Sequence, residues 1–355
     1  MTLTDLRDAP GIGTRLDAFD AVDRSLPFGV QLRQVREAAE VFRRDLLGTG
    51  MPTSVATKDL VTLPYPTRFG LWRAALTPSP YLSITNRMLV LRWDEGGTTK
   101  TLVFEPSDYE LGENTPFFVR LNAQTPALIQ KRLVTRHGTV VENLAALGIT
   151  PAEVDYLAFD HLHTQDVRRW IGTTTGMDPV FPNAKLVVQR DELDAMADLH
   201  PLQLPWYQPE TYRDLRPDAI AAIHGDVLLG PGIALVATPG HTFGNQSLVL
   251  STSDGIWAVS ENAIAVECLA PEHSKIPGVA KHAKVWGREA ILNTNTPEAL
   301  ADQYNSIVKE KSLADRSQRD SRFPQFLPSS ELTPSPYFPG TKPTFVQGSI
   351  THRSA

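Results

Sequence analysis

The sequence predicts an α/β protein in which helices cover β-sheet, and three stretches carry that reading. "TVVENLAALGITPAEVDYLAF" is a helix stopped by Gly148, then a Pro-led turn, then a strand, which is the repeating unit of an α/β layer. "AKLVVQ", "IALVAT", "QSLVLST" and "GIWAVS" supply further strands. "TPEALADQYNSIVKEKSLAD" is a late helix, with Pro297 expected in its first turn.

Taken in order, the chain divides into three regions. Residues 1–55 form an N-terminal helical extension, because the apolar positions of "VQLRQVREAAEVFRRDLL" recur at helical spacing and the pattern ends at Gly48 and Gly50. Residues 56–315 are expected to form the main domain. Its opening part, to about 125, reads as hairpins: "YLSITNRMLVLRW" and "TKTLVFEP" flank the turn signal "DEGG" at 94–97. Residues 316–355 are a Pro/Ser-rich C-terminal tail that cannot build its own core, so it wraps the domain, reaches a partner subunit in a homo-oligomer, or stays mobile.

Composition narrows the function. With 355 residues, 41% hydrophobic and 21% charged, the chain has ample material for a core. Lys and Arg total 34 against 40 Asp and Glu, a net charge of -6 with no long basic run, so nucleic acid is not the expected partner and a small molecule is. No apolar stretch of about 18 residues and no apolar leader stand in the sequence, which points away from membranes and towards the cytoplasm. Cys268 is the sole cysteine, so any metal must be held by histidine and carboxylate.

"LAFDHLHTQDVRRW" supplies the candidates. Residues two apart in an extended segment point the same way, so His161 and His163 can aim at one point while Leu162 faces the core. In "ATPGHTFGNQSL", His241 follows a short strand and a Pro-Gly turn whose Gly240 permits close approach. Either stretch alone reads as an incidental polar turn; the combination carries the weight. His137, His200, His224, His273 and His282 lack paired spacing and read as surface or core histidines. "PWYQPETY" at 205–212 is a pocket wall or simple packing. "PGIG" at 10–13 has no preceding strand to make it a nucleotide loop, and no G-x-S-x-G elbow is present.

Between about residues 80 and 315 the sequence resembles the metallo-β-lactamase fold superfamily. The resemblance is carried by "LGITPAEVDYLAFDHLH", "FPNAKLVVQRDEL" and "PGIALVATPGHTFGNQSLVL", in that order. It implies a four-layer αβ/βα sandwich with a metal site at one edge of the sheets. It also implies departures. The superfamily's H-x-H-x-D-H loop ends here in Gln165 and Asp166; its bridging aspartate, after the strand "GIWAVS", is matched by Glu261 followed by Asn262; its last histidine, after a strand matching "EAILNTNT", is replaced by Asn293 and Asn295. All these changes fall on the second-metal side, whereas His161, His163 and His241 are kept. The expectation is therefore one metal ion per chain, zinc favoured and iron the alternative.

Three imidazoles and a water make a complete catalytic zinc site, in which the metal lowers the pKa of its water to about 7 and so provides a hydroxide nucleophile. The expected activity is metal-dependent hydrolysis of a small ester, lactone, amide or activated halide. The alternatives are a mononuclear iron oxygenase and a catalytically inactive metal-binding protein. Asp166 is read as a further ligand or a group acting on the water, or else as the cap of the helix beginning "VRRWIG". Glu261 is read as a ligand or proton shuttle, or else as half of an ion pair. Asp160 is expected to hydrogen-bond a ligand imidazole and fix its tautomer, with Gln165, Asn262 and Asn295 around it.

Overall fold

The computed structural model describes residues 12–124, 126–208 and 211–353. Half of "PGIG", part of "PWYQPETY" and the first eleven residues of the expected N-terminal extension lie outside the described residues. In chain order the strands are β1 Thr14–Leu16, β2 Ser54–Pro66, β3 Tyr81–Glu95, β4 Thr98–Phe104, β5 Thr135–Arg136, β6 Tyr156–Ala158, β7 Lys185–Gln189 and β8 Ile220–Ile223. They continue with β9 Asp226–Gly230, β10 Ile233–Ala237, β11 Gln246–Thr252, β12 Gly255–Ser260, β13 Phe326–Pro328, β14 Ser330–Thr333 and β15 Thr351–Arg353. The longer helices are α1 Phe28–Gly48, α2 Pro116–Gln124, α3 Ala127–Leu133, α4 Val140–Ala146, α5 Arg190–Ala197, α6 Val279–Trp286 and α7 Leu300–Leu313.

Among the described residues the strands form two sheets, one ordered β1-β9-β10-β11-β12-β13 and the other β15-β2-β3-β4-β6-β7-β8, with β14 and β5 added on β3 and β2. The strands are apolar on both faces because each sheet is covered on both sides. Alternate residues sort into different cores: Leu89, Leu91, Leu102, Phe104, Ile233, Leu235, Leu248, Leu250, Trp257 and Val259 fill the space between the sheets. Their neighbours Val90, Val103, Leu157, Leu186 and Val188 pack outward with Val140, Leu144 and Leu193 of α4 and α5. On the other side Ala234, Val236, Val249, Ile256 and Ala258 pack with Phe42 and Leu46 of α1 and Ile307 of α7. Helix, sheet, sheet and helix therefore stack as four layers, with α1 supplying part of an outer one.

Local chemistry explains two boundaries near the site-bearing strands. Thr139 and Glu142 form a reciprocal capping box at the start of α4, and Gly148 just past its end takes the positive φ of 72° that ends the helix. The β3–β4 hairpin turns on Gly96 and Gly97 at φ 62° and 83°.

Three expectations need correction. The region to about 125 is not hairpins throughout: Asp108 accepts from the N–H groups of Glu110 and Leu111 to start a helical turn, Pro116 opens α2 and Pro126 precedes α3. Pro297 is not in the first turn of α7, which begins at Leu300, because Gln203 ties down Thr296 and Glu298 ahead of it. "EAILNTNT" is not a strand among the described residues.

Of the arrangements open to residues 316–355, wrapping the domain is the one the described residues adopt. β13 joins β12 in one sheet, β14 and β15 join β3 and β2 in the other, and the apolar side chains of Phe323, Phe326, Leu327, Leu332 and Ile350 are buried.

Candidate metal centre

Three loops build the site, and each leaves the C-terminal end of a strand, where chain no longer committed to the ladder can present side chains beyond the sheet edge. His161 and His163 follow β6, His241 follows β10, and Glu261 follows β12. In the first loop Leu162 is buried in the outer core while both flanking imidazoles line one cavity, as the alternation predicts. In the second, Gly240 has φ 133° and a Cβ there would stand 2.2 Å from the backbone nitrogen of Gln303, so only glycine lets the loop lie against α7.

The imidazoles of His161, His163 and His241 converge. Their ring centroids are 4.5 to 5.2 Å apart, and one ligand nitrogen from each lies within 4.8 Å of the others. The opposite nitrogens are already engaged: His161 Nδ1 bonds Asp160 Oδ1 at 2.5 Å, His241 Nδ1 bonds the Asn293 carbonyl at 2.8 Å, and His163 Nε2 bonds Gln203 Oε1 at 2.6 Å. That allotment leaves Nε2 of His161, Nδ1 of His163 and Nε2 of His241 for an ion. His163 Nδ1 is buried without a hydrogen-bond partner, an arrangement that costs free energy unless a cation takes the lone pair. The donor set fits a transition metal.

The electrostatics agree. Burial, followed by the neighbouring imidazoles, holds His163 well below the usual histidine range, and burial pushes His241 down to about 3, so both offer the neutral ring that a metal binds. Burial also opposes charge on His161, but the Asp160 carboxylate, aided by Glu261 and Glu192, outweighs it and raises that imidazole to about 9. Carboxylates able to hold a proton on His161 are equally able to stabilise a cation beside it. Asp160 is fully buried; its other oxygen accepts from Ser329 Oγ at 2.6 Å, and its N–H donates to Glu105 Oε1 at 2.5 Å.

The remaining expected residues separate into two groups. Glu261 lines the cavity and groups with Asp160 and His161; burial raises its carboxyl to about 7 against the pull of His161, and Ser330 Oγ donates to it at 3.1 Å. Gln165 and Asn295 also line the cavity, Gln165 donating to Ser107 Oγ at 2.9 Å and Asn295 holding a buried, unpartnered Oδ1. Asp166 is directed elsewhere: it accepts from the N–H, Nε and Nη2 of Arg168 at 3.1, 3.0 and 2.6 Å, and it belongs to no ligand cluster among the described residues. Asn262 is buried behind the site and donates to Glu310 Oε1 at 2.7 Å.

The cavity above the imidazoles has a volume of about 740 Å³. Its walls are largely apolar, with Leu63 and Ile84 from the sheet, Phe118 and Leu121 from α2, and Ile129 and Leu133 from α3. Of "PWYQPETY", Trp206 reaches the cavity, whereas Tyr207 is buried with its ring 4.7 Å from that of His163.

No family model matches the chain. Over 119 residues it is 29% identical to an N-acyl homoserine lactonase of a Bacillus species, a match of 34% of this chain and 42% of that protein. An N-acyl homoserine lactonase of Bacillus cereus is 28% identical over 121 residues, with the same coverage. The match thus takes in less than half of those relatives' length. Among solved structures, AidC, a dizinc quorum-quenching lactonase in complex with a product, superposes with a TM-score of 0.51 at 13% identity, covering 86% of this chain and 96% of that one. The chain has the metallo-β-lactamase fold. The hydrolase AbOPH, of the beta lactamase superfamily, superposes with a TM-score of 0.42 at 15% identity, covering 72% of this chain and 81% of that one.

The metallo-β-lactamase fold accounts for the order of the histidine loops, but several residues that serve the site carried no signal in the sequence. Gln203 and the Asn293 carbonyl orient imidazoles from distant segments, Glu105 steadies the Asp160 backbone, and Glu192 touches two histidine loops. Only tertiary packing brings them near. The one local clue was Asn293 in "EAILNTNT", and there the carbonyl rather than the side chain meets His241.

Proposed function

We propose that the chain is a metal-dependent hydrolase of a lactone or similar ester bearing an apolar chain, with His161, His163 and His241 holding one ion, zinc favoured. The observation that carries this is the convergence of three imidazole nitrogens, one of them buried and unpartnered, at the edge of a large apolar cavity. The likeness to N-acyl homoserine lactonases over part of the chain supports a lactone over an amide or halide. A zinc ion in such a set supplies a Lewis acid and lowers the pKa of water to about 7.

The chain's own residues supply the rest. Asp160 fixes His161 with its proton on Nδ1, and Gln203 and Asn293 set the other two rings. Glu261, at the cavity wall, takes up and returns the proton exchanged as the ester bond is cleaved by water. Leu63, Ile84, Phe118 and Leu121 shed water around an apolar chain. Ion count is argued from the other side of the site: Gln165 and Asn295 are amides, Asp166 is tied to Arg168, and the second donor group among the described residues, Asp160, His161 and Glu261, reuses His161 and has Asp160 already bonded to His161 and Ser329.

The test is ring opening of a panel of N-acyl lactones by the zinc-loaded protein in ¹⁸O-labelled water without dioxygen. One labelled oxygen in the product carboxylate, with activity abolished by a chelator and restored by zinc, is the expected result. An absolute requirement for dioxygen would replace this reading with that of an iron oxygenase, and indifference to chelation would remove the metal from the chemistry.

A further inference from the structure

Glu192, in the first turn of α5, is a fully buried carboxylate with four hydrogen bonds, two to each oxygen. Oε1 accepts from the Leu162 N–H at 2.9 Å and from Tyr207 Oη at 2.7 Å; Oε2 accepts from Thr242 Oγ1 at 2.7 Å and from the Gly244 N–H at 3.1 Å. Leu162 lies between His161 and His163, Thr242 follows His241, and the Tyr207 ring packs edge-on against His163. A second observation concerns Gly244, where a Cβ would stand 2.1 Å from the Glu192 backbone nitrogen, so the His241 loop is shaped to close on this residue.

We infer that Glu192 is the positioning residue that locks the two histidine loops together and thereby sets the geometry of the metal centre, an inference that rests on the proposed metal site. The four donors demand an acceptor-only group, which a carboxylate is and an amide is not. Two of them are backbone N–H groups, one in each loop, so the carboxylate fixes main chain directly and the imidazoles through it. It is not among the residues lining the 740 Å³ cavity, and its four hydrogen bonds go to Leu162, Tyr207, Thr242 and Gly244. Besides adding negative charge near His161, it sets where His161, His163 and His241 stand, the part that ligand geometry reports, and a buried link of this kind is worth about 10- to 100-fold in metal affinity.

Glu192→Gln keeps the shape but turns an NH₂ towards two of the donors. Zinc affinity, read by competition with a chromophoric chelator, is expected to fall about 10- to 100-fold, and the visible absorption bands of the cobalt(II)-substituted protein, which report ligand geometry, are expected to shift. Tyr207→Phe and Thr242→Val each remove one donor and leave no backbone group orphaned; each is expected to lower zinc affinity several-fold, about 2- to 10-fold for one hydrogen bond. Folded E192Q with wild-type zinc affinity and an unchanged cobalt spectrum would overturn the inference, even if its thermal midpoint had dropped. If E192Q does not fold, wild-type affinity and spectrum in both single-donor variants would overturn it equally. Wild-type protein that binds no zinc would instead sink the metal reading beneath it.

Discussion

At the residue scale, each of the three converging imidazoles spends one nitrogen on the protein and leaves the other for the proposed ion. Replacing His161, His163 or His241 by Ala is therefore expected to abolish metal retention after dialysis, whereas His200→Ala and His224→Ala, at exposed positions, are expected to retain wild-type metal content. The two acidic neighbours separate. Glu261→Gln keeps the size of a cavity-facing group and removes its proton chemistry, so turnover is expected to fall by about 10² to 10⁴-fold with little change in thermal midpoint. Asp166→Asn breaks a charge-assisted contact with Arg168 and is expected to cost about 1–3 kcal/mol of stability while the specific activity of the folded fraction is kept. Calorimetry beside steady-state kinetics on the same samples distinguishes them; a D166N protein of normal stability and lost activity would return Asp166 to the chemistry.

At the element scale, helix α7 carries a buried acid under the site. Glu310 Oε1 accepts from Asn262 Nδ2 and Ser247 Oγ at 2.7 Å each, and burial raises its carboxyl to about 7. A carboxyl whose folded pKa lies above its unfolded value of about 4.3 contributes stability that is fully present below pH 4 and is lost as pH rises through 7. Glu310→Gln resembles the protonated form, so its stability relative to wild type is expected to improve between pH 5 and pH 8, by roughly 2–4 kcal/mol at full ionisation. Denaturant unfolding at both pH values checks this, and a pH-independent difference would contradict it.

What could be read from the sequence also sorts by element. Strands β3, β4, β6, β7, β10, β11 and β12 and helix α4 were legible because apolar runs and a stopping glycine are local signals, and the histidine alternation was legible because a two-residue period needs no tertiary information. The departure of Glu261 and the asparagines from the superfamily pattern was legible through resemblance. Helices α2 and α3 were missed although Pro116 and Pro126 mark their starts, because their periodicity is short and one face lines a cavity rather than a core. Asp166 was ambiguous for a physical reason: a carboxylate just ahead of a helical stretch reads equally as ligand or helix cap until the fold shows which way it turns, and here it turns to Arg168.

At the scale of the whole molecule, the C-terminal segment closes the sandwich at the candidate metal centre. β13 lies in one sheet and β14 in the other with only Ser329 between them, and there Ser329 holds Asp160 while Ser330 holds Glu261. Arg87 pairs with the buried Glu331 at 2.8 Å, anchoring the crossing. Deleting residues 316–355 is accordingly expected to abolish cooperative thermal unfolding and metal binding together; a truncated chain with a wild-type midpoint would contradict the closure. The central claim, that this metallo-β-lactamase fold presents three imidazoles to a single ion, is tested most directly by elemental analysis of purified, dialysed wild type beside His163→Ala. Close to one ion per chain in the wild type and close to none in the variant is the predicted result. Two tightly held ions per wild-type chain, or undiminished metal in H163A, would contradict it.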